Sequence, residues 1–194
     1  FLRQTNRVAF DHCLIVGAGV QGRSHLEMLR EISPPRKVTI VSRKLKSSQA
    51  LARHAESLGF TAQALSEVPN IESFDLIITC TPAQEAVMLS RPQSNAILCA
   101  IGSYTPKMLE WHPDIIRWIA STGQVFVDSR DADHEAGDLI QATLDPADYP
   151  CLEDLVKKTA AINLDAAQGP ILFKSCGWGG WDLAAAKCAL QQLV

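Results

Sequence analysis

The stretch that decides the fold is Ile15–Leu29, IVGAGVQGRSHLEML. An apolar run stops at Gly17, two more glycines follow at Gly19 and Gly22, and a helical pattern begins at Val20. G-x-G-x-x-G has a physical meaning when a strand enters it and a helix leaves it. CLIV (Cys13–Val16) supplies the strand, Gly17-Ala18-Gly19 the turn, and Gly22 falls in the first helical turn. Gly17 permits the sharp turn, Gly19 lets backbone approach a pyrophosphate, and Gly22 allows strand and helix to pack closely. The helix start, at Val20 and Gln21, presents unpaired N–H groups to an anion. The alternative is a glycine-rich turn with no ligand.

Outward from this loop, short apolar runs recur: VTIV (Val38–Val41), LIITC (Leu76–Cys80), AILCAI (Ala96–Ile101), VFV (Val125–Val127) and ILF (Ile171–Phe173). They do not alternate with polar residues, so they read as strands covered on both faces. Helical stretches separate them. Val20–Ile32 sets Val20, Leu26, Leu29 and Ile32 near one face. Ser47–Leu58 opens on serines suited to capping and stops at Gly59, and Asp182–Leu193 is rich in Ala and Leu. Strand and helix alternating at this rhythm predict a doubly wound, mostly parallel α/β sheet with right-handed crossovers. Pro34-Pro35, Pro113 and DPADYP (Asp145–Pro150) mark loops, the last being the irregular connection.

Composition bounds the function. At 194 residues with 47% hydrophobic content the chain supports one core. A net charge of -3 gives no footprint for nucleic acid or an anionic membrane. No apolar run reaches the roughly 18 residues of a membrane span. The opening FLRQTNRVAF carries charges where a signal peptide is greasy, and it does not read as a natural start. Six cysteines lack any CxxC pair, and Cys13, Cys80 and Cys99 lie in apolar runs. Reduced thiols in a cytoplasmic compartment are expected, with no disulfide framework. No two histidines have metal-ligand spacing, so no metal is expected.

The end of the second strand bears on the nucleotide. An Asp or Glu there would hold the 2′-hydroxyl of NAD. This chain has Ser42-Arg43-Lys44, a hydroxyl and two cations suited to a 2′-phosphate. NADPH is therefore expected in preference to NADH. The alternative is a solvated basic turn.

GAGVQGRSH (17–25), VSR (41–43), TCTP (79–82), AIGSYTP (100–106), VDSRDADHEAGD (127–138), FKSCG (173–177) and DLAAA (182–186), in that order, resemble the ornithine cyclodeaminase/mu-crystallin family, its ketimine reductase branch in particular. The resemblance covers nearly the whole chain. It implies a Rossmann domain over 1–194, with 1–11 and 182–194 as helices linking to the family's smaller substrate and dimerisation domain. It implies hydride exchange between nicotinamide and the α-carbon of an amino acid or its imine, and a homodimer. The family's segment before this core, which supplies the Arg and Lys that grip substrate and assist proton transfer, has no counterpart in the residues read, so the chain looks like the cofactor half of an enzyme.

The cyclodeaminase proper carries Gly-Gly-Asp where this chain has Gly102-Ser103-Tyr104. A phenol does not replace a carboxylate ionised at neutral pH. This swap and the Ser42-Arg43 turn point to reduction of cyclic ketimines such as pyrroline-2-carboxylate or piperideine-2-carboxylate. Ornithine cyclodeamination, amino-acid dehydrogenation and nucleotide binding without turnover are the alternatives. Nicotinamide is expected across the strand ends, lined by Thr79, Cys80 and Thr81 and by Ala100, Gly102 and Ser103, with Ser175 at its carboxamide. Tyr104, or a water held by Ser103, is the candidate acid; otherwise Tyr104 covers the rim.

Other residues read as structural. His25 reads as a packing or surface residue, His112 and His134 as exposed. Asp128, Asp131, Glu135 and Asp138 read as caps for a helix in DADHEAGD. Lys174 reads as the partner of a nearby acid. Trp178 and Trp181 either shape a substrate pocket or pack against another domain or subunit.

Overall fold

The computed structural model describes residues 1–5, 9–158 and 169–191. Among the described residues, seven strands form one parallel sheet: β1 (His12–Val16), β2 (Lys37–Val41), β3 (Thr61–Leu65), β4 (Leu76–Thr79), β5 (Ile97–Ala100), β6 (Gln124–Val127) and β7 (Ile171–Lys174). Their spatial order is β3-β2-β1-β4-β5-β7-β6. The order reverses direction between β1 and β4, which is where doubly wound sheets open a crevice.

Period-two alternation divides the strand residues between two cores. Leu14, Val16, Ile77, Leu98, Val125 and Leu172 face α3 (Pro113–Thr122) and α4 (Gly137–Gln141) through Ile115, Ile116, Ile119 and Leu139. Cys13, Ile15, Ile40, Ile78, Cys99 and Phe173 face α1 (Val20–Ile32) and α2 (Leu45–Ser57) through Leu26, Leu29, Leu51 and Ala55. Each fully buried aliphatic side chain of this kind is worth roughly 1.5–3 kcal/mol over leaving it in water.

The register aligns the strand ends. Val41 pairs with Val16, Val16 with Thr79, Thr79 with Ala100, Ala100 with Lys174, and Lys174 with Val127. One row therefore crosses the sheet, and the residues just after it, Ser42, Gly17, Cys80, Ile101, Ser175 and Asp128, form a line of loop starts.

Several expectations change. β3 is a seventh strand that the apolar runs do not announce. TAQAL lies at the sheet edge, exposed or half-buried throughout, so burial puts no greasy run there. Val20 leaves the apolar face of its helix and is 80% exposed, because the first turn of α1 stands at the open end of the sheet. Among the described part of residues 1–11, the only helical turn is a 3-10 turn at Leu2–Thr5. The last helix, α6, begins earlier than expected and runs Gly179–Gln191; residues 192–194 lie outside the described residues. The acidic stretch splits into a 3-10 turn, Arg130–His134, and α4, and a short α5 (Leu152–Val156) follows. DPADYP forms a 3-10 turn at Pro146–Asp148, with the Asp145 carboxylate accepting from the Ala147 N–H at 3.0 Å.

Candidate functional site

The crevice between β1 and β4 is a cleft of about 700 Å³. The glycine loop forms one wall with Val16–Gly19, and Cys80–Val87 forms the other. Ser42, Arg43, Ser47 and Ser66 close the β2 end.

Each glycine of the loop has a distinct place. Gly17 sits at φ +117°, and a Cβ there would lie 2.6 Å from the Cys80 carbonyl oxygen. At Gly22 a Cβ would meet the Gly17 oxygen at 2.0 Å, so the helix packs directly on the turn. Gly19 faces open space, with nothing within 4 Å of its missing Cβ. It is also the residue before α1, and it has no side chain to cap that helix. The first-turn N–H groups have no acceptor within the helix and stand at the mouth of the cleft. This is a cradle for an anion with room for backbone contact.

Arg43 is exposed at the cleft's β2 end, and no ion pair of it occurs among the described residues. Lys44 is exposed and precedes α2, outside the cleft lining. Gly17, Gly19, Ser42, Arg43, Cys80 and Thr81 thus meet at one cleft. Val20 and Gln21 stand exposed on the first turn beside it.

The other expected residues lie one layer back. Thr79, Ala100 and Ser103 are fully buried. The Ser103 hydroxyl is turned inward and donates to the Asp138 carboxylate. Tyr104 is exposed beyond the cleft lining. The Ser175 hydroxyl donates to Asp128 at 2.8 Å.

Behind the β4 wall lies a buried polar cluster that the motifs do not announce. Glu110 is fully buried. Its carboxylate accepts from the Thr79 hydroxyl at 2.9 Å, the Thr81 N–H at 2.6 Å, the Thr81 hydroxyl at 2.9 Å and the Gly102 N–H at 2.8 Å. Asp138 accepts from the backbone N–H groups of Glu110 and Trp111, at 2.7 and 2.9 Å. Lys174 lies 3.7 Å from Asp138 and donates to the carbonyls of Ala100, Ser103 and Ser175. Burial pushes the Glu110 carboxyl above its ordinary range, against the pull of the Thr81 N–H. The sequence signal for Glu110 is a lone acid among Met108, Leu109 and Trp111, all buried: a charge in an apolar run requires partners.

Asp128 likewise works within the fold, accepting from the N–H groups of Ser129, Cys176 and Gly177. His112 accepts from the Asp114 N–H at the start of α3, and His25 bonds the Gln21 carbonyl. Burial pushes the Cys80 thiol well up, so it faces the cleft as a neutral group. Trp178 and Trp181 meet edge to face at 5.5 Å and line a second hollow of about 480 Å³ with Leu152 and Val156. Among the described residues no cluster of three metal-ligating side chains occurs, and no helix is long and apolar enough to cross a membrane.

The chain is 29% identical over 183 residues to the Delta(1)-pyrroline-2-carboxylate/Delta(1)-piperideine-2-carboxylate reductase of Azospirillum brasilense, covering 93% of this chain and 56% of that protein. It is 26% identical over 179 residues to the ketimine reductase mu-crystallin of Mus musculus, covering 91% and 54%. The fold matches that of Thermococcus litoralis Delta(1)-pyrroline-2-carboxylate reductase, solved with NADH and L-proline, at TM-score 0.77 and 22% identity over 88% of this chain and 54% of that one. The chain spans little more than half the length of these relatives. The model of the ornithine cyclodeaminase/mu-crystallin family matches residues 7–193, and the chain belongs to that family.

Proposed function

We propose that this chain is the dinucleotide-holding part of an NADPH-dependent reductase of cyclic ketimines, which converts pyrroline-2-carboxylate or piperideine-2-carboxylate to proline or pipecolate. The observation that carries it is the meeting, in one cleft, of the uncapped start of α1 and the Arg43 guanidinium. The first takes a pyrophosphate; the second, with Ser42 and Ser47, takes a third phosphate that NADH lacks. Relatives named as pyrroline-2-carboxylate and ketimine reductases support the substrate class.

When bound, the nucleotide would supply a hydride for the imine carbon, the hard chemical step. The chain's own residues bind and orient. Gly19 leaves space for the diphosphate, and Arg43 anchors the adenosine end. The wall from Cys80 to Val87 presents mostly small, neutral groups to the other half, with Glu85 as its one carboxylate. In this reading Thr79, Ala100, Gly102 and Ser103 shape that wall from behind, and Ser175 borders it from the β7 end. Tyr104, exposed beyond the cleft lining, is the proton donor that this reading assigns to the imine nitrogen. The same reading includes a homodimer in a cytoplasmic setting. None of the α6 side chains is buried within the chain, and Leu183 and Leu190 stand exposed, which supports assembly through this helix.

The test is turnover by the full-length protein, followed as the loss of near-ultraviolet absorbance of NADPH with pyrroline-2-carboxylate. Steady loss, faster with NADPH than with NADH, is expected. Tight binding without turnover overturns the reductase and leaves a nucleotide-holding protein; ammonia release from ornithine with NAD points instead to the cyclodeaminase.

A further inference from the structure

We infer that Glu110 is a positioning residue for the nicotinamide end of the cleft, a role that rests on the dinucleotide reading above. The wall from Cys80 to Val87 contains no helix or strand. The β4–β5 ladder stops at Thr79 and Ala100, and past the Ile101 N–H bond to Thr79 only scattered backbone contacts hold the wall, the Leu109 N–H to the Ala83 carbonyl at 3.2 Å and an isolated Met88–Trp111 bridge. Glu110 takes over at that point from two directions. One carboxylate oxygen accepts both donors of Thr81, and the other accepts Thr79 and Gly102, so a single side chain fastens the β4 loop to the β5 loop. Its backbone carbonyl accepts from the N–H groups of Val87 and Met88, each at 2.9 Å, and so holds the far end of the same wall.

The fit is close. A Cβ on Gly102 would lie 2.2 Å from the Thr81 nitrogen and 2.5 Å from a Glu110 oxygen. Glu110 is itself fixed by Asp138 through its backbone N–H. Glu110 does not line the cleft. It sets where Thr81 and its neighbours stand, and therefore the shape offered to whatever lies against them. The adenosine end of a dinucleotide goes to the β2 side, near Arg43, so its nicotinamide end falls on the wall that Glu110 holds.

Glu110→Gln separates this role from general structure. The amide keeps one acceptor oxygen and turns an NH₂ toward two donors, which releases one of the two loops. Affinities for NADPH and for 2′-phospho-ADP-ribose, which lacks the nicotinamide, are measured by calorimetry. The wild-type chain is expected to bind both, and NADPH more tightly. In the variant the NADPH Kd is expected to rise about tenfold while that of 2′-phospho-ADP-ribose moves less than about twofold. Thr81→Val, which removes one hydroxyl donor and keeps the backbone bond, is expected to show the same difference at about threefold and serves if Glu110→Gln does not fold. Equal losses for both ligands, or a fall in melting temperature with neither affinity changed, would overturn the positioning role. A wild-type chain that binds 2′-phospho-ADP-ribose as tightly as NADPH overturns it too, while the adenosine end of the dinucleotide reading survives. A chain that binds neither removes both.

Discussion

The two walls of the cleft treat their polar groups in opposite ways. At the glycine loop, donors are left free: Gly19 has open space beside it, the first turn of α1 is uncapped, and Arg43 projects without an ion pair among the described residues. Behind the β4 wall the donors are paired, with the buried Trp111 indole N–H the exception among the described residues. Thr79, Thr81 and Gly102 all point to Glu110, and Lys174 reaches three carbonyls and lies beside Asp138. Free donors cost little where water reaches them and are available to an anionic ligand. Buried donors would be costly unpaired, so the fold satisfies them itself. The open wall is built to bind and the closed wall to hold a shape.

The contrast breaks most visibly at Lys174. Lys174→Met removes the cation from two buried carboxylates, and a loss of about 3–5 kcal/mol in denaturant unfolding is expected. A loss below about 1 kcal/mol would mean that the acids are neutralised in another way. Next come two glycines with opposite surroundings. Gly102→Ala drives a methyl into the Thr81 backbone and is expected to cost about 3 kcal/mol by calorimetry. Gly19→Ala meets no atom, so stability is expected to stay within about 0.5 kcal/mol while NADPH affinity falls. If both destabilise equally, the two walls do not differ as described.

Arg43→Ala sharpens the open wall. NADPH affinity is expected to drop about tenfold in titration with NADH affinity unchanged, because only the 2′-phosphate loses its cation. Equal losses would make Arg43 a general anion contact.

The smallest effect lies away from the cleft, at Asp154. Its carboxylate accepts from the Cys151 N–H and from Arg130, both at 2.8 Å, and the backbone bond leads in lowering it from an ordinary 3.8 to about 2. A carboxyl lowered by folding contributes stability above about pH 4 and loses it as pH falls toward 2. The deficit of Asp154→Asn against wild type in urea unfolding is therefore expected to be small at pH 5, given the exposed site, and to shrink toward pH 2. A deficit that grows with acid would contradict this.

Much of the architecture was legible in the residues. Continuous apolar runs gave six of the seven strands because these six are buried on both faces, the edge strand β6 included. TAQAL escaped because the other edge is left exposed or half-buried and needs no such run. The glycine loop was legible because its spacing answers a steric demand that chain geometry imposes locally. Glu110 was not, since its four donors come from residues 8 to 31 positions away. Asp138 suggested a local cap, whereas its carboxylate serves Ser103, Glu110 and Trp111 across the fold.

By itself, the sequence determined the parallel sheet, the turn at Gly17–Gly22 and the cationic corner after β2, because periodicity, glycine sterics and charge act over a few neighbouring residues. Only the tertiary structure decided that Thr79, Ala100 and Ser103 stand behind the cleft and that Glu110 joins its wall. The reason is that burial and hydrogen-bond partnership depend on which distant strand ends the register brings into one row.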